Sequence, residues 1–80
     1  MAEKSLTEIN AGKEVEISHI NGGWIMQARL KEMGIAVGQR IKKISRVGVR
    51  GPVIILVDRA QVAVGAGMAC RILVKVKPHA

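Results

Sequence analysis

Gly22-Gly23-Trp24-Ile25-Met26-Gln27-Ala28-Arg29-Leu30-Lys31-Glu32-Met33-Gly34 is the stretch that decides the fold. Met26, Leu30 and Met33 recur at i, i+4 and i+7, a stripe that Ile25 broadens, while Gln27, Lys31 and Glu32 fall elsewhere. That spacing predicts a helix of about three turns beginning after the glycine pair. Gly34 stands where a left-handed residue ends a helix, and Ile35 after it can fold back on the last turn. Trp24 falls opposite the stripe, beside Ala28. The flanking segments read as strands, so the chain is one helix set in an otherwise all-β sequence.

Upstream, Glu14-Val15-Glu16-Ile17-Ser18 alternates polar with apolar and is read as the first strand, with one wet and one buried face. Ser5 to Gly12 reads as an ordered lead-in pinned by Leu6 and Ile9 and ended by a turn at Asn10 to Gly12. Downstream, Gln39 to Val47 changes its apolar parity between Ile41 and Ile44, which a bulge would explain. Gly48-Val49-Arg50-Gly51-Pro52 then forms the mouth of a hairpin, because Pro52 cannot donate to a ladder, and it exposes Arg46 and Arg50 near each other. Val53 to Val57, apolar on both faces, is the central strand. Asp58-Arg59-Ala60 turns into Gln61 to Val64, and Ile72, Val74 and Val76 alternate along the closing strand.

About five strands with one short helix after the first suit a small, strongly bent barrel occupying residues 1–80 as a single domain. Such a barrel fills its interior with side chains and leaves no obvious cavity for a substrate, so function is expected on its surface. The 49% hydrophobic content comes from aliphatic residues with one Trp and neither Phe nor Tyr, a composition that favours strands. At 80 residues the chain buries only about 60% of the surface it exposes unfolded.

A net charge of +7, from 13 Lys and Arg against 6 Asp and Glu, invites an anionic partner. A basic barrel that binds RNA or DNA is therefore the alternative reading, although the interleaved aromatics on which single-stranded bases stack are missing. Otherwise the cations solvate the outward faces of edge strands and discourage aggregation. Cys70 has no cysteine partner, which fits a reducing, cytoplasmic compartment. The first residues carry no apolar signal core, and the longest aliphatic run, Val53 to Val57, is far below the ~20 residues of a spanning helix. Direct membrane insertion is not expected, and any membrane role would run through a partner.

His19, Cys70 and His79 lack ligand spacing, so no metal site is assigned to them; His19 reads as a strand-end histidine and Cys70 as a small buried hydrophobe. Glu14 and Glu16 share a wet strand face and read as solvated, not as an acid–base pair. No Gly-x-x-x-x-Gly-Lys pattern accompanies the Gly22-Gly23 turn, and no catalytic or cofactor-binding residue is assigned. The partner-binding candidates are Trp24, Arg46 and Arg50. Trp24 is the one aromatic and lies off the apolar stripe, so it either centres an interface or caps the barrel's open end. Arg46 and Arg50 either pair with acidic groups of a partner or are simply solvated.

The order of one alternating strand, Gly22-Gly23, a helix containing Arg29-Leu30 and closing Met33-Gly34-Ile35, then Val37-Gly38, resembles the ferrous-iron transport A family (FeoA). Gly51-Pro52-Val53-Ile54, Val62-Ala63-Val64 and Ala69 through Ile72-Leu73-Val74 continue the resemblance, which spans about residues 5 to 77. It implies a Src-homology-3-like (SH3-like) barrel with an inserted helix. It also implies a non-enzymatic accessory role in the cytoplasm, docked on a membrane ferrous-iron transporter with a GTP-binding domain and so peripheral to the inner membrane through that partner. Iron linkage would run through the partner, with direct transition-metal binding left open. The same barrel forms the C-terminal domain of metal-dependent repressors; the chain reads instead as a stand-alone protein. Gly65-Ala66-Gly67 departs from the charged, helix-forming residues common in the family and predicts a looser turn. The polyproline groove of SH3 domains does not carry over, because neither Tyr nor Phe is present to line it. Self-association through an open strand edge is left open.

Overall fold

The computed structural model describes residues 2–76. Six antiparallel strands form one bent sheet in the order β1-β6-β2-β3-β4-β5. They are β1 (Ala2–Ser5), β2 (Glu14–Ile20), β3 (Arg40–Arg46), β4 (Val53–Val57), β5 (Ala60–Val64) and β6 (Ile72–Val76). Helix α1 (Trp24–Glu32) follows β2, and a single helical turn, α2 (Ala66–Ala69), separates β5 from β6. The SH3-like, mostly β fold expected from sequence is therefore present, with one more strand and one more helical turn than the patterns suggested.

The added strand is β1. Ala2-Glu3-Lys4-Ser5 has no apolar alternation because it is an edge strand whose pairing with β6 is a matter of backbone register, Ala2 opposite Val76 through Ser5 opposite Leu73. The added helix replaces the looser turn expected at Gly65-Ala66-Gly67. Gly65 is extended at φ −56, ψ 148 and starts the turn. The N–H groups of Met68 and Ala69 then donate to its carbonyl, at 3.0 and 2.8 Å.

Alternation decides which faces are buried. Val15, Ile17 and Ile20 of β2, Ile41 of β3, Val53, Ile55 and Val57 of β4, Val64 of β5, and Ile72 and Val74 of β6 form the core with Leu6, Ile9, Leu30, Ile35 and Ala69. Leu6 and Ile9 are thus buried pins, as the lead-in suggested. The parity change in β3 is a bulge, with the register against β4 shifting between Lys43 and Ser45. A second shift, between Ile17 and His19 against β6, leaves Ser18 out of the ladder, and its hydroxyl donates to the Leu73 carbonyl at 3.2 Å.

Helix α1 ends as predicted. Gly34 sits at φ +83. The N–H of Ile35 donates to the Leu30 carbonyl and that of Gly34 to the Lys31 carbonyl, both at 2.9 Å. These two bonds make a Schellman stop, and the accompanying contact joins Leu30 and Ile35, both fully buried. The predicted stripe is narrower than expected: Leu30 is the buried residue of α1, Met26 and Met33 pack partly, and Ile25 is 57% exposed. Leu30 anchors the helix to the core with Met26 and Met33 beside it, and Ile25 falls outside that narrow contact.

Gly51 closes the β3–β4 hairpin for a steric reason. A Cβ at this position would drive into the Val47 carbonyl oxygen, a backbone atom that cannot swing away. The Val47 N–H donates to the Pro52 carbonyl at 3.0 Å across the same closure. Gly51→Ala is expected to cost about 2 kcal/mol, because the hairpin must open to relieve the contact. Chemical denaturation of the two proteins side by side measures it.

Candidate protein-docking surface

Trp24 occupies the first position of α1. Gly23 precedes it in an extended conformation and supplies no side-chain cap. The helix start is held from the backbone side, with the Gln27 N–H on the Gly23 carbonyl at 3.1 Å and the Gln27 side-chain amide on the Gly22 carbonyl at 3.0 Å. Trp24 is 80% exposed, which excludes the reading that it caps the end of the barrel. A shallow groove runs beside the same helix, lined by Ile20, Gln27, Ala28, Lys31, Ile35 and Val37. Ala28 lies one turn beyond Trp24 on this side. Val37, on the segment leaving the helix, is 58% exposed. A tryptophan beside an apolar groove is what an interface centre requires: large area, few rotatable bonds and an edge that can hydrogen-bond.

Arg46 and Arg50 flank the β3–β4 connection, on a different element from Trp24. The Arg46 Nε donates to the Gly51 carbonyl at 3.3 Å, holding part of that guanidinium against its own hairpin. Arg50 is exposed, and neither arginine forms an ion pair among the described residues.

Other expectations are corrected. Glu14 and Glu16 are paired rather than merely solvated: Arg40 donates to Glu14 at 2.9 Å and Lys75 to Glu16 at 3.3 Å. The hydrogen bond and charge of Arg40 hold the Glu14 carboxyl below its ordinary 4.5. Cys70 is exposed, because Ala69 takes the buried place at the end of α2 and turns the next residue outward; the thiol donates to the Gly67 carbonyl at 3.2 Å. His19 is an exposed residue of β2 whose Nε2 lies 3.0 Å from the Asn21 Oδ1. His79 lies outside the described residues, and among those described no three His, Cys, Asp or Glu side chains gather as a metal would need.

The residue that pattern reading missed is Lys43. It shares a face with Ile41 just before the bulge and is 5% exposed, with its ammonium inside the fold. The Nζ donates to the carbonyls of Leu6, Thr7 and Ile9 at 3.1, 3.3 and 2.7 Å. Its backbone works on the same connection: the Gly12 N–H donates to the Lys43 carbonyl at 2.6 Å, and the Lys43 N–H to the Lys13 carbonyl at 2.9 Å. Burial first, and the charge of Arg46 second, push its pKa below the ordinary 10.5. Lys43 is thus a structural cation that ties the 6–13 connection to β3. The signal in the sequence was its parity with Ile41. A cleft of about 380 Å³ lies outside the barrel beside this connection, lined by Lys4, Glu8, Ile9, Lys13, Glu16 and Lys75 among others.

The geometry is that of a small barrel with a filled interior and an exposed aromatic on its helix. A sequence profile of the FeoA domain matches residues 4–76. The chain belongs to the FeoA domain family. A Methanocaldococcus jannaschii protein assigned as Fe(2+) transport protein A is 38% identical over 64 residues, 80% of this chain and 76% of that protein. A crystal structure of an iron uptake regulatory protein (FeoA) superposes with a TM-score of 0.83 at 29% identity, covering 94% of this chain and 97% of the other. IdeR of T. acidophilum matches with a TM-score of 0.82 at 26% identity, over 96% of this chain but 35% of its own. The FeoA fold thus corresponds to about a third of that longer protein. No helix among the described residues is long and apolar enough to cross a membrane.

Proposed function

We propose that this FeoA-family chain is a non-enzymatic accessory protein of ferrous iron transport that docks on the cytoplasmic, GTP-binding part of a membrane Fe(II) transporter. The observation that carries the reading is Trp24: the one aromatic of the chain, 80% exposed on the first turn of α1 beside an apolar groove, and absent from the core. A large side chain kept in water contributes nothing to folding, and its area is recovered when a partner covers it. Similarity to a protein assigned to Fe(2+) transport and to a FeoA iron uptake regulator supports the choice of partner. Arg46 and Arg50 lie on a different element from Trp24.

Calorimetric titration against the soluble cytoplasmic domain of the transporter tests it, with bulk RNA as a separate titrant and each run at low and physiological salt. Saturable binding that survives salt supports docking. Silence there with steeply salt-dependent RNA binding would instead favour the nucleic-acid alternative. Trp24→Ala is expected to weaken docking by about thirtyfold or more while leaving unfolding stability within about 0.5 kcal/mol. A large loss of stability in this variant would mean that Trp24 serves the fold.

A further inference from the structure

We propose that the tip of the β3–β4 hairpin, Arg46-Val47-Gly48-Val49-Arg50, is a contact for an anionic lipid surface. From Met33 to Val57 the chain has no Asp or Glu, but it carries Arg40, Lys42, Lys43, Arg46 and Arg50. Two of these cations are already engaged: Arg40 pairs with Glu14 and Lys43 is buried on its three carbonyls, while Lys42 stands opposite Glu14 in the β2–β3 register without an ion pair among the described residues. Arg46 and Arg50 remain without a carboxylate among the described residues. Arg46 commits its Nε to Gly51, which leaves the terminal nitrogens of its guanidinium free to face an anion.

Between the two arginines stand two of the most exposed aliphatic side chains of the fold, Val49 at 85% and Val47 at 57%, with Gly48 at φ +66 making the turn between them. This pairing of chemistries selects the ligand. Guanidinium groups match phosphate oxygens in both lipids and nucleic acids. Strand-tracking nucleic-acid surfaces, however, add aromatic platforms for bases, and Trp24 lies on another element. Aliphatic side chains beside basic ones fit the boundary between headgroups and acyl chains, where a shallow contact reaches only about 5–10 Å deep. Such a contact would add a direct membrane role to one that runs through a partner: the tip would rest on the bilayer without spanning it. This inference stands apart from docking through Trp24.

Co-sedimentation of the full chain with vesicles of phosphatidylcholine, or of phosphatidylcholine with an equal part of phosphatidylglycerol, tests it at low salt. Binding to the anionic vesicles alone is expected. Arg46→Gln with Arg50→Gln should lower the partition roughly 25-fold, about fivefold for each cation removed. Val47→Ser with Val49→Ser should weaken it at unchanged charge, and unchanged melting temperatures show that both variants fold. Lys4→Gln with Lys13→Gln removes the same charge from the cleft beside the 6–13 connection and should cost clearly less. An equal loss in that control would overturn the proposal in favour of net charge alone. Equal binding to neutral vesicles would overturn it too, as would tip variants that keep vesicle binding but lose RNA binding. A failed titration of the transporter domain leaves this result untouched, and the reverse holds.

Discussion

Lys43→Met is expected to lower unfolding stability by about 3–4 kcal/mol, the largest single effect foreseen in this chain. Met keeps the length and apolar stem of lysine but removes all three donors, so the carbonyls of Leu6, Thr7 and Ile9 lose their shared partner. A buried acceptor left unpaired costs about 1–3 kcal/mol, and water recovers part of the total where the connection can open. An 80-residue fold has a stability of only about 4–12 kcal/mol in all, so the melting temperature should drop by roughly 15 °C or more. Hydrogen exchange should report the loss first in residues 6–13, because that is the connection the ammonium holds.

The same lysine sets a pH dependence. Its folded pKa lies below 10.5, through burial first and Arg46 second, so between the folded value and 10.5 the unfolded chain binds the proton that the folded chain has released. Stability attributable to Lys43 therefore rises with pH across that window and is flat below it. The stability difference between the wild type and Lys43→Met, read from denaturation midpoints in the alkaline range, should therefore grow as pH rises through that window. A difference that falls as pH rises towards 10.5 would mean that the three carbonyls hold the proton more strongly than burial expels it.

Leu30→Ala is expected to cost about 3 kcal/mol. Leu30 is the residue of α1 that is fully buried, and it packs with Ile35 where the helix stops. Truncation removes apolar area and leaves a cavity that rigid strands below cannot fill, a change that costs about 2–5 kcal/mol in well-packed cores. Because Met26 and Met33 pack only partly, they offer little to retain the helix once Leu30 is gone. The helix should loosen before the sheet does, so helical circular dichroism should be lost at a lower denaturant concentration than sheet protection from exchange. Binding that depends on Trp24 should weaken along with it, since the tryptophan sits on the element that Leu30 anchors.

Periodicity was the legible part of this protein. Met26, Leu30 and Met33, followed by Gly34 and Ile35, specify a helix and its stop because all the interactions concerned lie within one or two turns of chain. The parity change between Ile41 and Ile44 likewise required an extra residue in β3, and the apolar run Val53 to Val57 required a strand, although Ile54 and Leu56 on its second face are only half-buried and β4 lies next to the edge strand β5. Trp24 was legible as a residue outside the apolar stripe, but its exposure was not.

What the sequence determined by itself was therefore local: which segments repeat with which period, where the helix ends, and that about five short strands with one helix suit a small bent barrel. Tertiary structure alone decided that Ala2–Ser5 pairs with β6, that Ile25 and Cys70 face water, and that Lys43 turns inward to three carbonyls of the 6–13 connection. A period tells which side chains share a face, but not which distant segment covers that face. Burial and hydrogen-bond partners depend on that cover, and here it comes from residues more than thirty positions away for Lys43, whose ammonium reaches back from β3 to Leu6.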